Sequence, residues 1–159
     1  MKRTPPIPDH QRLQTLAAFR YSLRQFLLFS EQRAERAGLH PQQHQLLLQV
    51  AGAPDGTETT VSYTAERLGL RHHSVVELSK RCEESGLLRR KHDAADGRRV
   101  VLQLTAEGHR VLRALSADHE RELHELLPRL IQSLRSIRGS AKQTKRLGDG
   151  GAGKKEDDL

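Results

Sequence analysis

The stretch Val61–Leu104 constrains the fold more than any other part of the chain. Two short helical segments are followed at once by two β-rich runs around a polar, Arg-rich tip. The second helical segment, about His72–Ser85, carries Val75, Leu78 and Cys82 at helical spacing, which gives it one buried stripe. His73, Val76, Glu77 and Lys80 fall on the opposite side and are free to touch something else. A short helix, a tight turn at Gly69 and a helix with a presented outer face define a helix-turn-helix. A β-hairpin with a basic tip directly after it makes the winged form.

The flanking segments are helical. Residues 1–9 hold three prolines and read as irregular, with Asp9 as a cap for a helix over His10–Ala37. In that helix Leu13, Leu16, Ala17, Leu23, Phe26, Leu27, Ser30, Ala34 and Ala37 recur at three and four, and Gly38 stops it. So wide a stripe exceeds what one small core covers, which points to a partner subunit. Its aromatic residues read as ordinary core, with a ligand-pocket wall as the other option. Pro41 suits the first position of a helix over Pro41–Ala51. Ala53–Thr59 is turn chemistry, Thr60–Ser62 suits a short strand, and Ser62 suits the N-cap of Tyr63–Leu68. Gly86 stops the second helix of the motif. Leu87–His92 and Arg99–Leu104 read as strands, with Gly97 permitting the turn between them. Thr105 caps a long helix with Val111, Leu112, Leu115, Leu123, Leu126 and Leu127 in its stripe. Pro128 marks a kink or a new helix, continued by Leu130, Ile131, Leu134 and Ile137. The fold class is mainly α with a small β-wing. One domain over 10–138 holds a winged helix-turn-helix (41–104) joined to a helical dimerisation region (10–37 and 105–138). Residues 139–159, glycine-rich and without periodicity, read as a disordered tail.

The net charge is +7 over 159 residues. Its location matters more than its size. Arg71, His72, His73, Lys80, Arg81, Arg89, Arg90, Lys91, Arg98 and Arg99 crowd into one third of the chain, which suits double-stranded DNA. The candidate DNA-binding residues are Arg71, His72, His73, Ser74, Val76, Glu77, Lys80, Arg81, Arg90, Arg98 and Arg99. The N-terminal half of a helix in the major groove reads base edges, so His72, His73, Val76 and Lys80 are placed to read, and Arg98 at the tip suits the minor groove.

Other chemistries find little support. A single cysteine, Cys82, excludes an intrachain disulfide and a Cys-based zinc knuckle, and its place in the apolar stripe makes it a core thiol. Among nine histidines, His40 and His44 are four apart, and His119 or His109 could approach them. No Cys or HExxH motif supports a metal there, so no metal and no cofactor is expected. There is no phosphate-binding glycine loop and no nucleophile with an obvious base, hence no enzyme. No run of about 18 apolar residues and no signal-peptide pattern is present, so a cytoplasmic location with no membrane partner is expected.

The order of a long helix, GLHPQQHQLLLQV, TVSYTAERLGL, a basic helix ending RCEESGLL, RRKHDAADGRRVVLQLTAEG and a Leu-rich helix resembles the multiple antibiotic resistance regulator (MarR) family of transcription regulators. The match spans roughly residues 10–138. Its most specific part is ESGLLRRKHDAADGRRVVLQLTAEG, with a D-x-x-D-x-R wing and an L-T-x-x-G helix start. The resemblance implies a homodimeric repressor on a pseudo-palindromic operator, released by a small aromatic or phenolic effector. It implies a dimer interface that includes Leu13, Leu16, Leu23, Leu130, Ile131, Leu134 and Ile137. It implies a wing set by Asp93, Asp96 and Gly97, Asp96 pairing with a nearby Arg; the alternative is that both aspartates only form the turn. The chain departs from the family at four places. Arg71 stands at a Ser-like cap position, Glu77 at a basic or polar DNA-facing position, Gly97 at a frequent wing Arg, and Thr64 at an aliphatic position expected to weaken packing. Two other readings share the fold: a protein-interaction module without operator binding, and a metal- or redox-sensing regulator.

Overall fold

The computed structural model describes residues 10–93, 96 and 99–149, with side chains described as far as residue 135, residue 133 excepted. The expected irregular N-terminus, the Asp9 cap, Gly97, Arg98, the Ile137 side chain and the last ten residues lie outside that range. The elements in order are α1 (His10–Arg36), α2 (Pro41–Ala51), α3 (Val61–Leu68), α4 (His72–Glu84), β1 (Leu88–His92), β2 (Val100–Leu104) and α5 (Ala106–Asp149). They fall into two compact units. A winged-helix unit comprises Leu28–Arg121, and a helical unit comprises Met1–Leu27 with Glu122–Leu159.

The winged-helix unit closes its own core. Leu46, Leu47, Val75, Leu78, Cys82, Leu88 and Leu102 are all buried, drawn from α2, α4 and both strands. The strands pair antiparallel in the register Leu88↔Leu104, Arg90↔Leu102 and His92↔Val100. The bend between α3 and α4 depends on Gly69, whose φ of 63° and ψ of 29° are left-handed; there its N–H meets the Glu66 carbonyl and Leu70 N–H meets that of Ala65.

Three local features differ from the sequence reading. Thr60, not Ser62, caps α3: its hydroxyl accepts the Tyr63 N–H at 3.1 Å, while Ser62 is exposed in the first turn. Thr60 is held extended by a single antiparallel bridge to Val101, so the expected strand over 60–62 shrinks to that bridge. Thr64 does not loosen the packing. It is fully buried, and its hydroxyl donates to the Thr60 carbonyl at 2.9 Å, which satisfies the polar atom inside the helix.

The Gly86–Gly108 corner explains the L-T-x-x-G sequence physically. Thr105 donates its N–H to the Leu87 carbonyl (3.1 Å) and its hydroxyl to the Gly86 carbonyl (2.7 Å). The same hydroxyl accepts the Gly108 N–H at 3.0 Å, capping α5. A Cβ on Gly108 would stand 2.0 Å from the Leu87 carbonyl oxygen, so the close approach of α5 to the start of β1 tolerates no side chain.

A polar layer ties α1, α2 and α5 together inside this unit. His119 Nδ1 lies 2.6 Å from the Leu115 carbonyl, an acceptor only, so it carries the proton. In the neutral ring Nε2 then accepts from the Ser30 hydroxyl at 2.8 Å. The His44 ring stacks on His119 at 4.9 Å and 19°, and Phe29 meets His119 edge-on at 5.9 Å. Arg33 pairs with Asp118 at 3.2 Å and sits 5.5 Å over the Phe29 ring.

The helical unit holds the N-terminal part of α1 and the C-terminal part of α5. Here Leu13, Leu16, Leu23, Leu127, Ile131 and Leu134 are exposed in the single chain. α5 runs through Pro128 as one helix and continues past Arg138 to Asp149, where the sequence reading expected order to have ended. Extending an existing helix avoids the nucleation cost that makes short isolated helices marginal. Residues 139–149 contain no proline, and Ala, Lys, Gln, Arg and Leu outweigh the glycine penalty.

Candidate nucleic-acid interface

The α4 helix has two faces. Val75, Leu78, Ser79 and Cys82 are buried, whereas Arg71, His72, His73, Glu77, Lys80 and Arg81 are exposed, with Ser74 and Val76 at the boundary. Arg71 occupies the N-cap without a side-chain cap bond; the Ser74 N–H is taken by the Arg71 carbonyl at 3.0 Å, so attraction of an outside acceptor such as phosphate falls to the first two N–H groups of α4. On the outer face Lys80 donates to Glu77 at 2.7 Å. That hydrogen bond, and then the positive charge of Lys80, hold the Glu77 carboxyl below the usual carboxylate range.

The hairpin sorts its basic residues by strand alternation. Leu88, Arg90 and His92 share a side with the buried Leu102, and Arg90 is half-buried. Its N–H donates to Glu83 at 2.8 Å and its guanidinium lies 3.9 Å from the same carboxylate. Arg89 and Lys91, both exposed, take the other side. Arg90, expected at the DNA face, is therefore turned towards the core. Period-two counting from Leu88 would have found this.

At the base of the wing Arg99 pairs with Glu58 and lies 3.7 Å from Asp93. The Asp93 N–H donates to the Arg99 carbonyl at 2.9 Å, and Arg99 N–H donates to the Asp96 carbonyl at 2.8 Å. Asp93 thus forms an ion pair with Arg99, and the Asp96 backbone closes the turn. Thr60, Val61, Ser62, His72, Asp96, Arg99 and Val100 line one recess of about 300 Å³, which brings the start of α4 and the wing base together. Sequence reasoning missed Glu58 and Glu83, because neither has a local pattern; each becomes a partner only when the hairpin folds back.

The remaining candidates have other roles. The Cys82 thiol is buried and its pKa is pushed up to about 11, chiefly by burial, so it stays protonated and unreactive. His40 is the N-cap of α2, accepting the Gln42 N–H at 3.2 Å, and His44 stacks on His119. Among the described residues no three His, Cys, Asp or Glu side chains gather as a metal site.

A helix-turn-helix with an exposed polar outer helix and an adjoining two-stranded hairpin places the chain among the winged helix-turn-helix proteins. A family model for the MarR family matches residues 37–99. Its fold is similar to AbsC, a MarR family transcriptional regulator from Streptomyces coelicolor (17% identity, TM-score 0.68, 92% of this chain and 99% of that one). It is also similar to MepR of S. aureus in a complex with DNA (24%, 0.61, 82% and 94%). A third similar structure is CouR from Rhodococcus jostii RHA1 bound to p-coumaroyl-CoA (21%, 0.53, 71% and 83%). No curated protein sequence matches the chain.

Proposed function

We propose that this chain is a sequence-specific DNA-binding transcription regulator, working in the cytoplasm as a homodimeric repressor that a small aromatic or phenolic effector releases. The observation that carries the reading is the two-faced α4. Its inner stripe is locked in the core and its outer face presents His72, His73, Val76, Glu77 and Lys80, with Arg71 and Arg81 at the flanks. Such a helix fits the major groove, with Arg89 and Lys91 of the hairpin free for phosphates. The exposed leucines of the helical unit support a dimer, and a dimer implies two recognition helices about one helical turn, roughly 10 bp, apart on a pseudo-palindrome. MepR bound to DNA supports the partner, and CouR bound to an aromatic acyl thioester supports the effector class. Among the described residues no helix is long and apolar enough to cross a membrane.

The test is selection from a randomised duplex pool by the purified full chain, followed by titration of the enriched duplex against scrambled competitor. The expected outcome is an inverted repeat bound by two chains, with at least about a thousandfold preference over scrambled DNA. Release of that duplex by simple aromatic acids or their thioesters tests the effector. Enrichment of no sequence would overturn the proposal.

A further inference from the structure

We infer that Glu77 and Lys80 act as one unit that reads a C·G base pair in the major groove, a deepening that rests on the regulator reading above. Both side chains are exposed on the outer face of α4, and Lys80 Nζ lies 2.7 Å from Glu77 Oε1. The unit therefore presents an acceptor beside a donor, side by side and held together. A C·G pair presents the complement: the cytosine N4–H donor next to the guanine O6 and N7 acceptors. The hydrogen bond joining N4–H to O6 within that pair spans about 2.9 Å, close to the spacing of the two protein atoms. Glu77 then accepts from N4, and Lys80 donates to O6 and N7.

The other base pairs fit less well. An A·T pair also offers a donor, N6–H, beside an acceptor, O4, but its N7 acceptor lies next to the donor, where it repels the carboxylate. Its thymine methyl lies on the Lys80 side and gives the ammonium nothing to bond. The paired charges cancel, so this part of the reading face adds little unspecific attraction to phosphate. Affinity for any duplex falls to the exposed Arg71, Arg81, Arg89 and Lys91.

The experiment uses the full chain and its own selected duplex. Wild type and the Glu77→Gln variant are each put through selection, then titrated against the selected duplex and against duplexes changed at single base pairs. Wild type should discriminate about tenfold against replacement of the C·G pair in one half-site by T·A. Glu77→Gln should lose that preference to within about twofold, bind scrambled DNA more tightly, and show a steeper salt dependence by about one phosphate contact, because Lys80 is released to the backbone. Substituting 7-deazaguanine at the same pair should weaken wild type and leave Lys80→Ala unaffected. A wild type that selects a sequence which Glu77→Gln also selects unchanged overturns this inference and leaves the regulator reading standing. A wild type that selects no sequence overturns the regulator reading and this inference with it.

Discussion

The two units of the chain treat most of their leucines in opposite ways, Leu28 and Leu48 of the winged-helix unit and Leu126 of the helical unit excepted. In the winged-helix unit Leu46, Leu47 and Leu102 are 0% exposed, whereas in the helical unit Leu13, Leu16, Leu127 and Leu134 are 43–51% exposed. Both sets sit at amphipathic spacing on regular helices or strands, so periodicity alone does not distinguish them. The winged-helix unit has elements enough to surround its apolar residues: three short helices, a hairpin, and the parts of α1 and α5 that belong to it. The described part of the helical unit consists of two helix segments, and two helices can cover at most one side of each other. A stripe wider than that side stays wet until a second surface covers it, at about 25 cal/mol for each Å² of apolar area.

The largest effect that would sharpen this contrast comes from charging the uncovered stripe. Leu16→Glu combined with Leu134→Glu should give a soluble monomer in sedimentation, with circular dichroism of the winged-helix unit retained. Affinity for the selected duplex should fall by about a hundredfold or more, since two half-sites are no longer bound together. A persisting dimer would break the comparison.

Within the covered unit, Gly108→Ala should cost about 2–3 kcal/mol in urea unfolding, because the new methyl meets the Leu87 carbonyl. A variant as stable as the parent would mean that the corner between α5 and β1 yields easily.

The buried His44 gives the covered unit a dependence on acid. Burial, and then the charge of His119, lower its pKa from 6.5 to about 4. The unfolded chain takes up this proton near pH 6.5 while the folded chain refuses it until near pH 4. Stability is therefore intact above that window and falls as pH drops through it. Between about pH 7 and about pH 4.5 the loss should be on the order of 2 kcal/mol. His44→Phe, which keeps an aromatic ring on His119, should remove that part of the slope. An unchanged slope in the variant would place the acid sensitivity elsewhere.

Cys82→Ser should cost about 1–2 kcal/mol, since a hydroxyl replaces a thiol in an apolar site. Peroxide should leave DNA binding by wild type unchanged; release that a thiol reverses would show that Cys82 is accessible after all. The smallest effect is expected at the wing base. Glu58→Gln removes an exposed pair with Arg99 and should change stability by about 0.5 kcal/mol or less.

Much of the winged-helix unit was legible because its signals are local. Gly69 and Gly86 mark turns, Pro41 and Thr105 mark helix starts, and Val75, Leu78 and Cys82 give the stripe of α4 directly. The outward set His73, Val76, Glu77 and Lys80 follows from that stripe, since a helix has one opposite face. One error lies where a distant segment intervenes, and another where a local pattern was left unused. Thr60 became the cap of α3 because β2 holds it extended, and Ser62, an equally good cap by type, lost to it. Arg90 was grouped with its basic neighbours, although strand alternation assigns it to the inner side.

The sequence by itself determined the order of elements, the two faces of α4 and the width of the apolar stripes, because each depends on residues within a few positions of one another. Only the tertiary structure decided which charges remain available. Arg99 is engaged by Glu58, 41 positions away. His44 meets His119 from another helix. Ion pairs and ring stacks form between whatever side chains the packed backbone brings within a few ångströms, and no local periodicity encodes that distance.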